Sequence, residues 1–177
     1  MEATSNKVGL ETRQVRWLLW GGVLAFVASA AFHFGYDKTG FAPLMLVCAI
    51  NESIWEHMKI LFFGGLLVNA ILYFTLFRGN RTFLVGAAVG LSTIVVGVPL
   101  IVLGYSSVLG KELFLVDFVL SIVMELVCQT LIYRFLKSRR DFTRFWKASV
   151  VVVALLVVVF VLLGFFPPSF GIFVSPE

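Results

Sequence analysis

Five stretches of this chain run for about 20 residues with almost no charge. They are WLLWGGVLAFVASAAFHFG (17–35), ILFFGGLLVNAILYFTLF (60–77), FLVGAAVGLSTIVVGVPLIVLGY (83–105), LFLVDFVLSIVMELVCQTLIYRF (113–135) and ASVVVVALLVVVFVLLGFF (148–166). An α-helix rises about 1.5 Å per residue, so roughly 20 residues cross the ~30 Å hydrocarbon layer of a bilayer. So large a surplus of apolar residues cannot all be hidden in one small core. The pattern predicts an all-α integral membrane bundle, one transmembrane domain over 1–177. Its spans are expected at about 17–35, 53–77, 83–105, 113–135 and 147–166. A sixth apolar piece, FAPLMLVCAI (41–50), covers only half a bilayer and is expected to re-enter the membrane or lie on its surface.

The basic residues select the topology. With five spans and a cytoplasmic N-terminus, Lys7, Arg13, Arg16, Arg78, Arg81, Arg134, Lys137, Arg139, Arg140, Arg144 and Lys147 all lie inside, which is 11 of the 14. With six spans and the same start, only 5 lie inside against 9 outside. The positive-inside rule favours five, so the tail PPSFGIFVSPE is expected outside. Composition agrees: 60% of residues are hydrophobic and only 14% charged, and the net charge of +4 comes from loop clusters rather than a basic module. Nucleic acid is therefore excluded as a partner; the lipid bilayer is the expected one, and the plasma membrane the expected location. Ala28-Ser29-Ala30 resembles a signal cleavage site, but the apolar run continues past it, so the first helix is expected to stay. Cys48 and Cys128 are predicted at different depths, too far apart for a bridge.

Chemistry concentrates in NESIWEHMK, residues 51–59, where the second long helix begins. Ser53 is the expected helix cap, with Glu56 three residues on completing a capping box. Glu52, Glu56 and Lys59 fall on one helical face by spacing, and Lys59 would partly neutralise the acids. His57 points about 100° away from Glu56, so a neighbouring helix must complete any site. Helix 1 offers His33, with Ser29 and Asp37 one turn to either side. Helix 4 offers Asp117 near its start, then Ser121, Glu125, Cys128 and Gln129 on roughly one face. Glu125 lies at mid-span, where ionisable residues are rare and carry function by default. Plainer roles exist for the others: a cap, an interfacial ion pair, a histidine at the headgroups. Gly64-Gly65 and the Gly86, Ala87, Gly90 pattern read as close helix packing.

NESIWEHMK, with HFGY upstream and FFPPSFGIF downstream, resembles a family of small multi-pass bacterial membrane proteins, a domain of unknown function. Its signature reads approximately N-E-S-[VIT]-W-E-H-[LM]-K-L-x-F-F, with an H-F-x-Y/W element in the first helix. The resemblance implies weight for His33, Asn51, Glu52, Ser53, Trp55, Glu56, His57 and Lys59, and supplies no reaction. The tail here is shorter than the family's acidic P-L-F-x-D-P ending. Three functions stay open. In a membrane-embedded enzyme acting on a lipid or amphiphile, Glu52, Glu56, His57 and Asp117 would be catalytic. His33, His57 and Glu52 would hold a zinc-like divalent metal, which Lys59 would oppose. In a proton-coupled transporter of a small solute or ion, Glu125, Gln129 and Lys59 would form the relay, with a homodimer supplying the missing symmetry. The third is a non-catalytic subunit or sensor.

Overall fold

The computed structural model describes residues 10–175. It is all-helical: α1 (Thr12–Thr39), α2 (Ile54–Leu76), α3 (Arg81–Leu109), α4 (Phe114–Lys137) and α5 (Trp146–Phe165), with short 3-10 turns at Ala42–Leu46, Thr143–Phe145 and Gly171–Phe173. No strand occurs among the described residues. Five helices are long and apolar enough to cross a membrane, and the chain is a multi-pass membrane protein.

Helix ends run beyond the apolar windows. α1 and α3 reach 28 and 29 residues because the backbone stays helical through the polar ends of each span. Both stop at a glycine in the left-handed region, Gly40 (φ 61°) and Gly110 (φ 71°), whose N–H groups cap the Tyr36 and Ser106 carbonyls. Residues 41–50 form no sixth span. They make the Ala42–Leu46 turn and then a loop whose Cys48 and Ala49 are buried, with Ala49 N donating to Phe32 O at 3.3 Å. This segment packs on α1 and α5 at one end of the bundle.

Successive helices alternate in direction, so His33, the start of α2 and the α3–α4 connection share one end. Arg13, Arg16, Arg78, Arg81, Arg134, Lys137, Arg144 and Lys147 share the other. α1 packs on α2 and α4, and α3 packs on α2, α4 and α5. Glycines set three of these seams. A Cβ at Gly64 would fall 2.8 Å from Ala25 O, one at Gly22 would fall 3.2 Å from Leu126 Cα, and one at Gly90 would fall 2.9 Å from Cys128 O. Such close approach gives van der Waals packing that substitutes for a hydrophobic drive absent in lipid. α5 buries little beyond Ser149 and Phe160 and turns most of its valine-rich surface outward. Phe160 joins an aromatic column: its ring lies 4.8 Å from Phe62 and 4.9 Å from Trp55, and Phe173 of the C-terminal turn lies 4.7 Å from Trp55. The tail thus folds back over the start of α2. Both cysteines are buried and free.

Candidate functional site

The start of α2 is built differently from the simple capping box. Ser53 is the cap: its Oγ accepts from Glu56 N at 3.3 Å, and Asn51 Oδ1 accepts from Ser53 N at 2.9 Å. The Glu56 side chain does not return to Ser53. It accepts from Ile50 N at 3.0 Å and pairs with Lys59 at 2.6 Å, while Lys59 Nζ also donates to Met45 O at 2.9 Å. Glu56 and Lys59 are 2% and 0% exposed, so this ion pair is a buried clasp that ties residues 45–50 to the helix.

That geometry corrects two expectations. Glu52 precedes the cap, so it lies off the helix and shares no helical face with Glu56 and Lys59. The Lys59 charge is matched by Glu56 and directed at the loop, so it does not oppose a cation near Glu52. Lys59 bonds Glu56 and Met45 O whereas Glu125 contacts Ser29, and the buried Glu56 is not among the residues that line the cavity with Glu52, His57 and Asp117.

Freed from the helix, Glu52 reaches two imidazoles. Its Oε2 is 3.5 Å from His33 Nε2 and 3.5 Å from His57 Nε2, and the two rings lie 5.3 Å apart, centre to centre. The neighbour needed to complete the site is therefore α1. His57 Nδ1 lies 3.1 Å from Ser53 O, and since a carbonyl oxygen only accepts, Nδ1 is the donor of that contact, which orients the ring with Nε2 toward Glu52. His33 Nδ1 is buried and has no partner among the described residues. One ligand atom from each of His33, Glu52 and His57 lies within 4.8 Å of the others. Ligands on a tetrahedral ion with ~2.1 Å bonds are about 3.4 Å apart, close to the two shorter separations here.

These three residues form one wall of a cavity of about 490 Å³. Ser29 and Ser121 line it deeper in, Glu112 and Asp117 face it from the α3–α4 connection and α4, and Phe26, Phe34, Phe114 and Phe118 supply apolar walls. Tyr105 OH donates to Asp117 Oδ1 at 2.8 Å and accepts from Leu113 N at 3.0 Å, fixing the carboxylate. Burial, and then the charge of Asp117, push the Glu112 carboxyl above the ordinary glutamate range.

Below the cavity the polar residues pair off. Ser29 Oγ is within hydrogen-bond distance of Ala25 O (2.9 Å) and Glu125 Oε1 (3.2 Å). A hydroxyl has one hydrogen, so only one of the two receives it at a time. Glu125 is fully buried and its Oε2 has no partner among the described residues. Gln129 Nε2 donates to Asn69 Oδ1 at 2.8 Å rather than to Glu125. Ser29 therefore serves Glu125, not a line with His33 and Asp37. The spacing-based reading missed Asn69, Tyr105 and Glu112. Of these Asn69 carried a signal, as a lone amide within the apolar run of α2.

The model of the Family of unknown function (DUF6512) matches residues 7–176, nearly the whole chain. The chain belongs to this family. No curated protein and no solved structure matches it. The matched range takes in both histidines, every acid of the cavity and the tail that covers Trp55.

Proposed function

We propose that the chain is a plasma-membrane enzyme that uses a bound divalent metal and acid–base chemistry on the head of an amphiphile. One observation carries this reading: His33, Glu52 and His57 converge to within 4.8 Å on the wall of a cavity of about 490 Å³ whose other walls are largely apolar. Two imidazoles and a carboxylate are a donor set that zinc accepts while keeping a position open for water or substrate. The metal would polarise a substrate oxygen or supply a hydroxide at neutral pH. Asp117, oriented by Tyr105, is the candidate general base or acid across the cavity. The basic residues at the opposite end support a cytoplasmic N-terminus, under which the cavity would face the outer leaflet.

The test is metal content of the purified protein after zinc repletion. Wild type is expected to retain about one ion per chain, and His33→Ala, His57→Ala and Glu52→Gln each to lose it. A wild-type protein without stoichiometric metal would sink the reading. The Ser29–Glu125 contact at the cavity floor favours proton-coupled transport as the second reading. Proton flux in liposomes that Glu125→Gln abolishes would support it, and unchanged flux would count against it.

A further inference from the structure

We infer that the ligand of this cavity is a cationic amphiphile, an amine or quaternary ammonium on a single hydrocarbon chain, admitted sideways between α1 and α4. The inference names the substrate class of the site proposed above and rests on that reading for the reaction, though not for the binding.

The route follows from how two helices diverge. At Gly22, α1 touches α4 so closely that a Cβ would lie 3.2 Å from Leu126 Cα and 3.4 Å from Glu125 O. Toward the His33 end the pair splays. Phe26 and Phe118 meet edge to face at 5.4 Å, and beyond them the rim residues Phe34 and Phe114 are 57% and 83% exposed. The gap therefore opens toward the lipid-facing side of the bundle through phenylalanine, which suits a hydrocarbon chain. A cavity of this volume falls in the ordinary range of small-ligand sites, about 300–1,000 Å³.

The charge of the head follows from the lining. Glu52, Glu112 and Asp117 face the cavity, and among the described residues no lysine or arginine lines it. Lys59 is held by Glu56 and Met45 O, and Lys38 and Lys111 at the same end are not among the lining residues. A dication at His33, Glu52 and His57 against these three carboxylates would still leave one negative charge. Burial and the charge of Asp117 already disfavour ionisation of Glu112, and a cationic head beside the two carboxylates would relieve that conflict. A phosphate head would meet both carboxylates at short range. Phenylalanine faces add a further preference for quaternary ammonium through cation–π attraction.

The experiment compares two probes with the same tail and opposite heads, dodecyltrimethylammonium and dodecyl phosphate. Both are measured by equilibrium binding to the full chain in nanodiscs at neutral pH, with and without EDTA. The ammonium is expected to bind at least about tenfold more tightly, and more tightly still after EDTA, because the lining is then more negative. Glu112→Gln combined with Asp117→Asn is expected to erase the preference, and Glu112→Lys alone, which changes the lining charge by the same two units, to erase it as well. Glu112 lies in the α3–α4 connection outside every helix, so Glu112→Lys still reads the charge effect if the double variant fails to fold. Equal or tighter phosphate binding by wild type would overturn the inference, as would ammonium binding that ignores both variants. Metal content is measured separately, so a metal-free protein that prefers ammonium removes the metal reading alone, and a metal-loaded protein without preference removes this inference alone.

Discussion

Replacing Gly64 with alanine should push α1 away from α2 and disperse the His33, Glu52, His57 group from a distance. The new Cβ would overlap Ser29 Oγ and lie 2.8 Å from Ala25 O and 2.9 Å from Ser29 N. Ordinary contact begins at 3.4 Å, so the Ala25 carbonyl alone demands a retreat of 0.6 Å, from 2.8 to 3.4 Å. Two of the obstacles are backbone atoms, which cannot rotate aside. Overpacking of this kind typically costs about 1–3 kcal/mol. His33 lies one helical turn beyond Ser29, so the shift carries into the 3.5 Å approach of its Nε2 to Glu52. Gly65→Ala is the matched control, because its Cβ would meet Glu125 Oε2 at 3.0 Å and Leu91 Cδ2 at 3.1 Å, both side-chain ends that can yield. Thermal unfolding and zinc affinity in detergent are measured for both variants. Gly64→Ala is expected to melt well below wild type and to bind zinc about 10–100-fold more weakly, the usual scale for displaced outer-shell support. Gly65→Ala should stay near wild type. Should the two variants melt and bind alike, the argument from α1–α2 contact is wrong.

Two further outcomes follow from buried and half-buried charge. Lys59→Met strands the buried Glu56 carboxylate and should lower stability by about 3–5 kcal/mol in denaturant unfolding, with much of the loss recovered when Glu56→Gln is added; a neutral Lys59→Met would show that the pair is no clasp. Glu112→Gln should alter the pH dependence of melting. Burial and Asp117 make the folded protein hold the Glu112 proton more tightly than the unfolded chain, so that contribution is present at low pH and lost as pH rises through the raised folded-state value. The variant should therefore gain on wild type as pH climbs through that range and match it in acid, and a pH-independent difference would refute the assignment.

The five spans were legible because hydropathy reports directly on contact with lipid. Helix ends were less so: apolar windows mark the immersed length, whereas α1 and α3 continue until Gly40 and Gly110 permit a reversal. At the site, the pairing of His33 with the start of α2 was legible as a shared depth. Which acid joins them was not, because i, i+4 spacing assumes that Glu52 is helical, and Asn51 and Ser53 place it one residue too early. The partner of Lys59 was half legible: Glu56 follows from the i, i+3 spacing, but Met45 O depends on how a loop folds back. Tyr105 meets Asp117 across the α3–α4 connection, and no period in the sequence reports a contact of that kind.

The tight seam at Gly22 has a kinetic corollary. Under the reading proposed above, a chamber closed at its floor would release its product toward the same end by which substrate arrives. Turnover of the proposed enzyme would then be paced by departure rather than by bond-making, and the phenylalanines at the rim, among them Phe34 with its ring 4.9 Å from that of His33, would help to set its speed.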